Sequence, residues 1–162
     1  MDRYLQVSEI YDRIASKQTD QEKIDILVAN GSNGTLQNVL YHTFAPEISF
    51  LIDDVPAYKP YVVPAGEGIM KMQEAMSRVY LFMRNHPKRP HNLEYRKMEI
   101  LLIQILEAME HKESEVYINM ILREPKVPGL TYELVRQAMP GLLPPKTPTE
   151  IQSPGVSIME TF

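Results

Sequence analysis

The residues best suited to binding chemistry lie in one basic segment, residues 78–97. It contains six Arg or Lys residues and one acidic residue, so it carries a formal charge of +5. The whole chain carries −4, and the remaining residues therefore carry −9. Such polarisation favours contact with phosphates, although a solvated corner between helices, or contact with an acidic protein, explains the charges equally well. Four of these cations are nominated as contacts to a nucleic-acid backbone: Lys88, Arg89, Arg96 and Lys97.

The sequence contains no constellation that is typical of an enzyme active site. The chain has no cysteine, which excludes disulfides, thiolate metal sites and a cysteine nucleophile. Its closely spaced glycines lack the spacing and the preceding strand of a phosphate-binding loop. His86 and His91 flank prolines, but no acidic residue lies between them to complete a metal site. We therefore expect no catalytic residue, no metal and no cofactor.

The C-terminal residues 157–162 form a second candidate binding segment. Apolar residues next to a terminal aromatic can dock as a short peptide in a hydrophobic groove. The segment resembles the C-terminal peptides by which phage replication and late-transcription proteins bind their sliding clamp. A tail that folds back on its own domain or on a neighbouring subunit is the alternative. The residues nominated for partner binding are Ile158, Met159 and Phe162.

The elements that must position these residues are predicted to be helices, because apolar residues recur at spacings of three and four. Thr19 is expected to cap a second helix through a capping box, Ser114 to cap a sixth helix that runs through Arg123, and Thr131 to cap a seventh. Single long helices are predicted over Gly66–Asn85 and Glu94–Glu110. The second of these is apolar on most sides, which favours a place in the middle of a bundle.

The segment Pro46–Pro64 breaks the helical pattern with recurring prolines, so we expect an extended arm that lies on the helices. After Pro144 the composition turns to Pro, Thr, Ser and Glu. The predicted fold class is all-α: a single bundle of about seven helices with a proline-rich extended arm and an irregular C-terminal tail. Residues 1–145 are assigned to the helical domain and residues 146–162 to the tail. Neither a signal peptide nor a membrane segment is expected, which favours a cytosolic protein.

Two stretches resemble the N-terminal helical DNA-binding domain of phage ATP-dependent DNA ligases. Thr35–Pro46, followed by Glu47–Ile52, matches a helix that leads into an aromatic-x-Pro turn and a short aromatic-aliphatic segment. Further along, Ile121–Glu124, Gly129 and Met139–Pro144 match an Arg-bearing helix end, a glycine before the last helix and a Pro-Gly-Leu-aliphatic-Pro exit.

With the opening helices, this similarity covers most of residues 1–145. The resemblance implies a helical DNA-binding domain and, by motif position, two further backbone contacts, Arg123 and Arg136.

The sequence also departs from the ligase pattern. The Lys-x-Asp-Gly nucleotidyltransferase signature is absent, and the chain is too short for the adenylation and OB domains, so we expect no ligation. Where the ligase segment usually has two lysines, this chain has Asp53 and Asp54, which repel phosphate. The arm Asp54–Pro60 and the Pro-Gly-Leu ending also resemble short stand-alone proteins of marine tailed phages.

Together these patterns favour a non-catalytic phage accessory protein, located in the host cytoplasm during infection. Its expected partners are duplex DNA, or the replication and transcription machinery through a sliding clamp. The alternative is a head, neck or tail protein of the virion that uses the helical domain as a protein-interaction module. In that case the arm and the tail would contact neighbouring virion subunits. A third hypothesis is an inhibitor that binds a host enzyme through its acidic face.

Overall fold

A computed structural model describes residues 5–144 of the chain, and helices dominate this part. Among these residues the structure has isolated β-bridges but no strand, so the all-α prediction is confirmed. The tail beyond residue 144 lies outside the described residues. The described residues form seven α-helices: α1 Val7–Ala15, α2 Asp20–Ala29, α3 Gly34–Phe44, α4 Met72–Met76, α5 Tyr95–Ala108, α6 His111–Ile121 and α7 Tyr132–Ala138. They also form one short 3-10 helix, Val79–Phe82, between α4 and α5.

The predicted caps of α2 and α7 are confirmed. The Thr19 hydroxyl accepts the Glu22 N–H at 3.2 Å, and the Glu22 carboxylate accepts the Thr19 N–H at 3.2 Å, which completes a capping box. The Thr131 hydroxyl accepts the Leu134 N–H at 3.2 Å. Each cap satisfies an N–H group that has no acceptor inside its own helix.

The core is built around α6, which packs against α1, α3 and α5. Its Tyr117 side chain is fully buried, and the phenol donates to the carbonyl of Ala75 in α4 at 2.9 Å. The prediction that α5 occupies the centre is wrong. Ile100 and Ile103 on α5 are only half-buried, because its apolar surface extends beyond the area that neighbouring helices cover.

The arm lies on the helices, as predicted. The Leu51 N–H donates to the Phe82 carbonyl at 2.8 Å, and the His111 N–H donates to the Tyr61 carbonyl at 2.9 Å. These bonds tie the two ends of the arm to separate parts of the bundle. They also satisfy backbone groups of a segment that has no sheet to pair with.

The single helix predicted over Gly66–Asn85 is wrong, because only its middle is helical. A Cβ on Gly68 would lie 2.6 Å from the backbone nitrogen of Glu110, so the chain passes this point too closely for any side chain. The next turn is fixed by the Met70 N–H, which donates to the Ala108 carbonyl at 2.9 Å. As a result Ile69, only three residues before the buried Met72, is 76% exposed.

The predicted boundaries of α5 and α6 also need correction. Helix α5 ends at Ala108, and α6 begins at His111. Glu110 caps α6, because its carboxylate accepts the Lys112 N–H at 2.6 Å. Ser114 is therefore not a cap. Its hydroxyl lies inside α6 and donates to the Leu106 carbonyl at 2.7 Å, which joins the two helices. Within residues 5–144, no helix combines the length and the apolar character that crossing a membrane requires.

Candidate nucleic-acid interface

The basic segment 78–97 folds as a corner that leads from the 3-10 helix through a loop into the first turn of α5. An isolated antiparallel bridge between Phe50 and Met83 holds the start of the loop against the arm. Asn85 then adopts a left-handed conformation with φ of 62°, which turns the chain. The arm and the bundle therefore fix both ends of this loop.

Arg89 holds the loop against α5. Its guanidinium donates to the Leu81 carbonyl at 3.0 Å and to the Leu93 carbonyl at 3.4 Å. One of its nitrogens also lies 3.6 Å from the sulfur of Met98 in α5. The half-buried Arg89 side chain thus brings the loop next to the start of α5, and its charge is directed toward carbonyl groups of the corner itself.

Three of the four cations nominated from charge are exposed at this corner: Lys88 in the loop and Arg96 and Lys97 in the first turn of α5. Arg96 lies 3.5 Å from Glu99, but its side chain is 74% exposed. An ion pair this exposed contributes little, so the guanidinium is available to a phosphate. Charge counting did not single out Arg84, which is also exposed and donates to the Ser49 hydroxyl at 3.2 Å. We call these four residues the basic surface: Arg84, Lys88, Arg96 and Lys97.

The two cations nominated from the ligase resemblance lie on other elements. Arg123 follows α6, and its guanidinium donates to the carbonyls of His42 and Ala45 at 3.1 and 2.6 Å. Burial lowers the pKa of this guanidinium. Arg136 lies in the last turn of α7, which packs against α2. The charge-based candidates therefore lie on one loop and the helix turn that follows it, whereas these two lie on other elements.

An acidic edge and an exposed aromatic ring border the basic surface. Tyr95 is the first residue of α5, and it is 46% exposed. Partial burial raises the pKa of its phenol, and the negative charges of Glu99, Asp53 and Asp54 raise it further. The acidic pair in the arm is therefore close to the hydroxyl of Tyr95. These carboxylates repel phosphates from the hydroxyl of Tyr95.

One histidine near the corner, His42, adds little positive charge at neutral pH. Burial lowers the pKa of His42, and the positive charges of Arg123 and His86 lower it further. Residues 5–144 contain no group of three or more His, Cys, Asp or Glu residues placed to hold a metal ion.

No protein-family model matches the chain, and no curated protein is significantly similar to it. The clamp-binding residues nominated in the tail, Ile158, Met159 and Phe162, lie outside the described residues. The basic surface and its acidic edge are therefore the features on which a functional proposal can rest.

Proposed function

We propose that this protein binds DNA through the basic surface, without reading sequence, as a non-catalytic accessory protein of phage replication or transcription. The observation that carries the proposal is the exposure of four cations on one corner of a chain whose net charge is −4. The phage context follows from the resemblance of the sequence to the helical domain of phage ligases.

The chemistry of the corner fits contacts to the DNA backbone. Lys and Arg side chains neutralise phosphates and release counterions, and such contacts position a protein without specifying bases. The acidic remainder of the chain repels DNA, which favours one orientation of the protein on its ligand. The expected complex is therefore sensitive to salt and tolerant of sequence.

Fluorescence anisotropy with unrelated DNA sequences, at several salt concentrations, tests this proposal. Each phosphate contact contributes about 0.9 to the slope of log Kobs against log salt. A double variant, Lys88→Gln with Arg96→Gln, is expected to weaken binding to every sequence and to lower that slope by about 1.8. The matched control is Lys17→Gln with Lys126→Gln, which removes the same charge from exposed positions outside the basic segment.

Two results would overturn the proposal. The first is the absence of binding at low salt. The second is an equal loss of affinity in the control variant, because net charge rather than the corner would then explain the binding.

Exposed apolar residues near the arm favour a second candidate function, a protein-interaction module in virion assembly. Val62, near the end of the arm, is 79% exposed, and Ile69, on the connection from the arm to α4, is 76% exposed. Exposed apolar patches mark contact surfaces between proteins, and these two are the most exposed large apolar side chains among the described residues. Mass spectrometry of purified particles tests this function, since a virion subunit must be abundant in mature particles.

A further inference from the structure

The position of Tyr95 differs from that of an ordinary surface tyrosine. Met98 and Leu102 lie on the same face of α5, and both are buried. Residues seven apart in a helix differ by only about 20° in direction, so Tyr95 continues the inward stripe beyond the edge of the core. Tyr95 therefore lies in line with the buried face of α5, yet it remains 46% exposed.

Charges of both signs lie near this ring. Arg96 and Lys97 follow it directly, and Lys88 lies in the loop that Arg89 holds against α5. The negative charges of Glu99, Asp53 and Asp54 act on the Tyr95 hydroxyl and raise the pKa of its phenol. A phosphate is attracted to the cations and kept away from the hydroxyl. The part of a nucleic acid that suits the ring is therefore uncharged and flat, which describes a base.

We propose that an unpaired base stacks on Tyr95 while the basic surface holds the flanking phosphates, so that the protein prefers DNA with unpaired bases to a continuous duplex. This inference rests on the proposed function and names its substrate class. Bases inside a continuous duplex are already stacked on both sides, whereas an unpaired base offers its face at little cost. Base–aromatic stacking tolerates any sequence, as do the phosphate contacts.

The test compares a continuous duplex with the same duplex carrying a short central gap, by fluorescence anisotropy at one salt concentration. The gapped duplex is expected to bind more tightly. Loss of a stacking aromatic costs roughly 1–3 kcal/mol, so Tyr95→Leu is expected to weaken binding of the gapped duplex by roughly fivefold to 150-fold. Binding of the continuous duplex should remain unchanged. Tyr95→Phe keeps the ring and is expected to keep the preference.

The controls separate this inference from the proposed function. Leu has a high helix propensity, so Tyr95→Leu should preserve α5, and circular dichroism melting checks the fold of both variants. Equal affinity of the wild-type protein for the two duplexes overturns the stacking role and leaves the proposed function standing. An equal effect of Tyr95→Leu on both duplexes, or loss of the preference in Tyr95→Phe, also overturns the stacking role. No binding to either duplex at low salt overturns both proposals.

Discussion

Glu113 shows how one buried carboxylate can link two helices. It lies on α6, and its side chain accepts the Ser8 N–H at 2.7 Å. Ser8 lies in the first turn of α1, where an N–H has no acceptor within its own helix. Burial raises the pKa of Glu113, and the nearby Glu110 and Glu9 raise it further. The contact therefore requires an acceptor at this position, while the negative charge opposes folding.

The change Glu113→Gln is expected to raise stability at neutral pH. The amide keeps an oxygen for Ser8 and removes both the desolvation of a charge and its repulsion by Glu110 and Glu9. Because the folded-state pKa is raised, the wild-type protein loses stability as pH rises from the ordinary value of 4.5 through the folded value. Urea denaturation across this range should show the advantage of the variant at pH 7 and its disappearance below pH 4.5. Glu113→Ala is the control, and it should cost about 1–3 kcal/mol because the Ser8 N–H is left without its acceptor.

Gly129 and Lys23 form a second contact in which the residue type is dictated by space. The buried Lys23 ammonium donates to the carbonyls of Ile14 and Lys17 at 3.2 and 2.6 Å, where it caps the end of α1. Gly129 has φ of 81°, and a Cβ there would collide with Cε of Lys23 and lie 2.9 Å from its Cδ. The glycine thus leaves room for the stem of a lysine whose head is already fixed.

Gly129→Ala is expected to destabilise the fold more than Gly141→Ala does. Gly141 also has positive φ, of 93°, but a Cβ there meets no atom within 4 Å. Both changes introduce left-handed strain of about 1–2 kcal/mol. The clash with Lys23 is expected to add about 1 kcal/mol or more in Gly129→Ala alone. Chemical denaturation measures the difference, and equal costs for the two variants would contradict this account of Lys23.

At the scale of elements, Arg123 ends one helix and caps another. Its N–H donates to the Met120 carbonyl at 3.0 Å, and the Glu124 N–H donates to the Asn119 carbonyl at 2.8 Å. This pair of bonds is a Schellman motif, which places Arg123 in a left-handed conformation with φ of 63°. Glycine is usual at this position. Arginine here provides the guanidinium that binds the last carbonyls of α3.

Replacing Arg123 separates its two roles. Arg123→Ala loses the bonds to α3 and keeps the backbone strain, whereas Arg123→Gly loses the bonds and relieves the strain. We expect both variants to be less stable than the wild-type protein, with glycine about 1 kcal/mol better than alanine. Urea denaturation measures this order. Because the guanidinium is directed toward α3, the salt slope of DNA binding should be unchanged in Arg123→Gly, and a lower slope would place Arg123 among the phosphate contacts.

How far the sequence predicts each element depends on the distance over which its cause acts. The starts at Thr19 and Thr131 were predictable because a cap involves residues within one turn. The prediction of a single helix over Gly66–Asn85 was wrong because of a contact distant in sequence, the close approach of Gly68 to Glu110. The break between α5 and α6 also lacks a local sequence signal, because it is formed by two extended residues, Met109 and Glu110, without glycine or proline.

The candidate interface shows the same division. Charge counting found Lys88, Arg96 and Lys97, because a long charged side chain on a polar corner is normally exposed. It could not show that the guanidiniums of Arg89 and Arg123 are directed toward carbonyl groups. Those partners are backbone atoms whose positions depend on the folded chain. The count of charges is therefore a property of the sequence, whereas their availability is a property of the fold.

For the whole molecule, the net charge of −4 hides a local boundary that can be tested with one matched pair of variants. Asp53→Asn and Asp25→Asn both change the net charge to −3. Asp53 lies at the acidic edge beside Tyr95, whereas Asp25 lies on α2, which packs mainly against α1 and α7. Removing a charge about 10 Å from a phosphate is worth about 0.4 kcal/mol in water, so Asp53→Asn should raise DNA affinity about twofold at low salt. We expect Asp25→Asn to have a smaller effect, and both effects to disappear near 1 M salt, where the screening length is about 3 Å. These results would show that the gain in DNA affinity depends on the position of the removed charge. Equal gains in the two variants would mean that the protein responds to DNA as a single net charge, and the acidic edge would then have no role in placing the strand.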